Sequence, residues 1–70
     1  MTGNELREAH RKLGLSANGA ARLFQVSSGR TVRRWWSGER DVPGPVIVLT
    51  RALMESPSVR GFFGLVIDEG

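Results

Sequence analysis

The stretch Ser28-Gly29-Arg30-Thr31-Val32-Arg33-Arg34-Trp35-Trp36-Ser37 decides how this chain is read. Val32 and Trp35 stand three apart, the spacing of one helical stripe. Arg30, Thr31, Arg33 and Arg34 fall on the other sides. Ser27 or Ser28 is of the type that caps a helix start, and Gly38 is of the type that ends one. The stretch therefore reads as a short helix, 28–37. It buries two large apolar residues and turns arginines outward.

Upstream, Ser16 is a second N-cap candidate. Ala20, Ala21, Leu23 and Phe24 give the following segment a helical apolar face. Asn18-Gly19 speaks for a turn, yet the face continues beyond the pair, so a helix is expected through it. Gln25 to Ser28 is a short break. Before it, a first helix is expected from about Asn4, its N-cap, to Leu13. Its stripe is Leu6, Ala9 and Leu13, and Gly14 is its stop. Downstream, Glu39 to Gly44 reads as a loop. Pro45 suits the first turn of a fourth helix, whose buried stripe is Val46, Leu49 and Leu53. Ser56-Pro57 opens a fifth segment bearing Val59, Phe62, Phe63 and Val66. Leu65-Val66-Ile67 reads equally as the end of a helix or as a short extended tail. The expected architecture is all-α: one domain, 1–70, a compact bundle of four to five short helices.

Composition narrows the chemistry. The 70 residues include no cysteine and one histidine, so disulfides and cysteine-ligated zinc are excluded and no metal or cofactor is expected. No apolar run approaches the roughly 18 residues of a membrane span. The amino terminus lacks the apolar stretch of a signal peptide, and a cytoplasmic protein is expected. The net charge of +3 is modest but unevenly spread. Arg22, Arg30, Arg33, Arg34 and Arg40 crowd the middle, where Glu39 and Asp41 are the nearby acids, while Glu5, Glu8, Glu55, Asp68 and Glu69 lie toward the ends. A basic centre suits a polyanion; the plain alternative is a solvated arginine-rich face. No nucleophile motif surrounds the serines or acids, and the lone His10 has no evident orienting partner, so an enzyme is not expected. His10 itself reads as an exposed residue of the first helix.

Two short helices joined by a brief break, the second carrying arginines outward, have the layout of a DNA-binding helix-turn-helix spanning about 16–37. Arginine's planar fork matches the O6 and N7 of guanine and also pairs with phosphate. Thr31 offers a methyl to the C5-methyl of thymine.

The series Leu6-Arg7-Glu8-Ala9, Leu13-Gly14-Leu15-Ser16, Ala21, Val26-Ser27, Arg30-Thr31-Val32-Arg33-Arg34-Trp35 and Gly38-Glu39-Arg40 resembles the Cro/phage-repressor type of helix-turn-helix regulator. This is also called the xenobiotic-response-element family. The resemblance covers roughly Leu6 to Leu53. It implies a five-helix fold, cytoplasmic binding of double-stranded DNA, and a homodimer on an inverted-repeat operator. Short members often repress their own operon in phages and mobile elements, and small repressors encoded beside anti-CRISPR genes are one such group. Carried over by position, the base-facing residues are Gly29, Arg30, Thr31, Arg33 and Arg34. The phosphate-contacting positions match Ser16, Ala17, Ser28 and Ser37, with Arg40 an added phosphate contact. The position of His10 lies near the DNA backbone in that family. Trp35 matches its buried aromatic, whereas Trp36 stands where a polar residue is usual and either packs on helix four or five, the favoured reading, or rests its ring on sugar-phosphate. Three departures stand out. Ala17 replaces a frequent glutamine, Gln25 replaces a preferred glycine, and Ser28-Gly29 lengthens the link between Val26 and Val32 by one residue.

The segment 56–70 has two readings. Val59, Phe62, Phe63 and Val66 either close the monomer core or form a dimer interface, and dimerisation is favoured. The competing functional reading is a protein-interaction module, antitoxin- or adaptor-like, that uses this apolar segment to hold another protein.

Overall fold

The first helix begins with a reciprocal pair of hydrogen bonds. The Glu5 N–H donates to Thr2 Oγ1 (3.1 Å), and the Thr2 N–H donates to Glu5 Oε1 (2.7 Å). This capping box satisfies two otherwise orphaned donors, so the cap is Thr2 and not Asn4. The computed structural model describes the backbone of residues 1–68 and the side chains of residues 1–62. Within them the chain forms α1 (Gly3–Lys12), α2 (Ala17–Leu23), α3 (Gly29–Ser37), α4 (Gly44–Glu55) and α5 (Pro57–Asp68). The fold is all-α, five helices among the described residues packed into one small globule with a radius of gyration of 10.9 Å.

Local chemistry places each boundary. Ser16 caps α2, its Oγ accepting from the Gly19 N–H at 3.0 Å. With that bond made, Asn18-Gly19 continues a helix and makes no turn. Between α2 and α3, Gln25 takes φ +59°, a left-handed conformation costly for a residue with a Cβ. Its side-chain amide donates to the Arg22 carbonyl at 3.1 Å. Gly38, at φ +84°, ends α3 as expected. Pro45 lies in the first turn of α4, and the helix of α5 runs on through Asp68, which removes the extended-tail reading. Arg60 closes the far end of α4: its Nε donates to the Leu53 carbonyl (3.1 Å) and its Nη2 to that of Met54 (3.3 Å).

The core is built from Leu6, Leu15, Ala17, Ala20, Ala21, Leu23, Val32, Trp35, Val46 and Leu53. Small alanines on α2 let it approach α3 closely, and the α2–α3 contact is the most extensive between helices. Gly29 serves the same approach. A Cβ there would overlap Asn18 and press on the backbone of Ala17. On its other side α3 packs against α1, so the helix is held from two directions and its remaining face looks outward.

Candidate nucleic-acid interface

Along α3, Val32 and Trp35 are buried, and Arg30, Arg33, Arg34 and Ser37 recur at the i, i+3, i+4, i+7 spacing of the opposite stripe. Thr31 lies half-buried on one shoulder. The stripe is bordered by shallow, open concavities. One, of about 480 Å³, is lined by Asn18, Ser27, Ser28, Gly29, Arg30, Thr31, Arg33 and Arg34. A second, of about 430 Å³, is lined by Arg30, Arg33, Arg34, Ser37 and Glu39.

Most of the expected contact residues come together here, but not all in the expected roles. Arg30, Thr31, Arg33, Arg34, Ser28 and Ser37 share the surface. Gly29, expected to face bases, is buried, and its Cα faces α2. Its place is that of a packing residue, because the tight α2–α3 approach needs a residue without a Cβ. Ala17 is also buried and has no side-chain donor, so its side chain is no phosphate contact. Ser16 is exposed, but its hydroxyl already caps α2. Arg40 is exposed after the turn, its N–H donating to the Arg34 carbonyl at 3.1 Å. Asn18 joins the surface unannounced. Its place two residues after the cap Ser16 was the signal, and the turn-like Asn-Gly pair obscured it.

The electrostatics of the stripe are uneven. Arg34 faces Glu39 across 3.6 Å, both partly exposed. Ser37 donates its hydroxyl to the Arg34 carbonyl (3.2 Å) and accepts from the Glu39 N–H (3.4 Å), which ties the turn to the helix end. Arg30 and Arg33 have no ion-pair partner among the described residues.

Behind the stripe lies a polar bridge. The Trp36 indole Nε1–H donates to His10 Nδ1 at 3.1 Å. An indole nitrogen only donates, so Nδ1 accepts and the imidazole proton resides on Nε2. Nε2 in turn donates to Thr50 Oγ1 at 3.2 Å. His10 and Thr50 are both fully buried, and the Phe24 ring centroid lies 5.4 Å from that of His10. Burial pushes the His10 pKa down from 6.5 to about 4, so the ring is neutral. The expectation of an exposed His10 near a DNA backbone is therefore corrected. Trp36 is half-buried and packs, as expected, against the core, with its ring centroid 5.8 Å from that of His10 on α1.

At the far end, Val59 packs against the monomer core, while Phe62 is 69% exposed and Val48 on α4 is 68% exposed. The side chains of Phe63 and Val66 lie outside the described residues. No group of three or more potential metal ligands occurs among the described residues, and no helix there is long and apolar enough to cross a membrane. Compared with known protein families, with curated proteins and with solved structures, the chain shows no match.

Proposed function

We propose that this chain is a sequence-specific binder of double-stranded DNA that acts as a transcriptional repressor in the cytoplasm. The carrying observation is the outward stripe of α3: Arg30, Arg33, Arg34 and Ser37 exposed or half-exposed on a helix whose other face is anchored by Val32 and Trp35. In this reading α2 and α3 act as a helix-turn-helix, with α3 entering the major groove and α2 lying over the backbone. Arg30 has no ion partner among the described residues to give up. Arg34 gives up an exposed pair with Glu39, which is worth at most about 1 kcal/mol. Ser28, Asn18 and Arg40 line the approach to the sugar-phosphate backbone.

A homodimer would present two α3 helices to successive major grooves about 34 Å apart, on an inverted repeat. Occupancy of such a site over a promoter blocks transcription. The exposed Phe62 supports a second copy as the partner of the carboxy-terminal segment. The same exposure favours the second reading, a protein-interaction module. A mobility-shift series with the DNA upstream of the protein's own coding sequence tests the first. Retardation of that fragment at salt where random duplex no longer binds is the expected result; equal affinity for both refutes sequence-specific repression. Gel filtration of the purified chain tests the second, since a dimer without aggregation leaves the interaction-module reading unsupported.

A further inference from the structure

A third concavity, of about 300 Å³, opens at the flank of the arginine stripe and is lined by Arg7, Arg33, Trp36 and Ser37. It joins two helices far apart in sequence. Gly3, at the start of α1, lies so close to the carbonyls of Trp35 and Trp36 that a Cβ there would overlap them. Arg7 follows one helical turn later on the same face of α1. Two exposed guanidinium groups thereby border one hollow. Neither has an ion-pair partner among the described residues, and no carboxylate lines the hollow. The nearest acids in sequence are engaged elsewhere, Glu8 with Arg11 (3.7 Å) and Glu39 with Arg34 (3.6 Å).

Two cations sharing one hollow repel each other unless an anion lies between them. The wall is fixed in advance. Trp36 spends its only donor on His10, so its ring presents an apolar surface of the kind that packs on a sugar, beside donors that suit a phosphate. We infer that this hollow is a seat for a single phosphodiester of the duplex, held by Arg7 and Arg33 from opposite sides. The inference rests on the DNA-binding reading above, because the hollow shares Arg33 and Ser37 with the outward stripe. It moves Arg33 from base reader to phosphate contact and leaves Arg30 and Arg34 to face base edges. It also gives α1 a part in binding through Arg7, in place of the buried His10.

The test is the salt dependence of duplex binding, followed by fluorescence anisotropy on a duplex selected for binding and on random duplex. Arg7→Gln should weaken both duplexes by the same factor, on the order of tenfold at low salt. The double variant Arg7→Gln/Arg33→Gln should lower the slope of log affinity against log salt by about 0.9, the share of one phosphate. Arg7→Lys, which keeps the charge, should retain the slope, and circular dichroism of each variant excludes loss of fold. An unchanged affinity and slope in Arg7→Gln would overturn the seat, as would an Arg33→Gln variant weakened on the selected duplex alone. Failure of the parent reading looks different: the unmodified chain would bind selected and random duplex equally, or bind neither, and in the second case the seat falls with it.

Discussion

The two polar regions on either side of α3 handle hydrogen-bonding capacity in opposite ways. Behind the helix, the Trp36–His10–Thr50 bridge satisfies every buried side-chain donor and acceptor it contains. In front of it, among the described residues, Arg30 and Arg33 keep their donors unspent in solvent, and Arg34 holds only an exposed acid. Buried polar groups without partners are costly, so the rear bridge serves the fold. Exposed guanidinium groups add little to stability, which leaves the front stripe free for the DNA partner proposed above. The same helix thus carries a structural polar face and, in the proposed reading, a recognition polar face, and substitutions should separate them.

The largest effect is expected at the bridge. His10→Ala removes a buried ring and strands both Trp36 Nε1 and Thr50 Oγ1, which should cost about 4 kcal/mol in denaturant unfolding. A cost within about 0.5 kcal/mol would erase the contrast, since that is the range of a surface residue.

Acid should act on the same residue. The folded pKa of about 4 lies below the 6.5 of the free side chain, so between these values only the unfolded chain binds the proton. The stability held by neutral His10 is complete above pH 6.5 and is lost as pH falls through 4, a total of about 3 kcal/mol. Glu5, held below its ordinary 4.5 by its hydrogen bonds to Thr2, adds a loss in the same direction as pH falls below 4.5. Thermal melts from pH 8 to 4, repeated with His10→Gln, should show the dependence shrink when the imidazole is gone.

The front stripe should behave in reverse. Arg30→Ala and Arg34→Ala should each weaken binding to a selected duplex by about 1–3 kcal/mol, yet alter unfolding by no more than about 0.5 kcal/mol. An unfolding loss comparable to the binding loss would place these arginines in the structural class with His10.

The smallest effect belongs to the link between α2 and α3. Gln25→Gly relieves the left-handed backbone at φ +59° and should raise stability by up to about 1 kcal/mol, readable as a higher melting temperature.

How much of this was legible in the sequence depended on distance along the chain. Val32, Trp35 and Gly38 marked α3 because helix period and a left-handed stop are local signals. Ser16 outweighed Asn18-Gly19 for the same reason: one side-chain bond to the Gly19 N–H decides the segment. His10 misled. It stands four after Leu6 and three before Leu13, squarely on the buried stripe, but its polarity suggested solvent. Its partners Trp36 and Thr50 are 26 and 40 residues away, and no local pattern announces them. Gly29 was assigned to the wrong face, and the proposed place of Arg7 was not foreseen, for one reason. Each is defined by how closely two helices approach, at Asn18 for the first and beside Trp36 for the second. Period and capping do not encode that distance.

The central claim, that the front of α3 reads a DNA sequence, is tested most directly by selecting bound duplexes from a random pool with the full chain. The account predicts a short enriched sequence repeated in inverted orientation about one helical turn apart, lost when Arg30 and Arg34 are replaced together. A pool that emerges with no enriched sequence would contradict it.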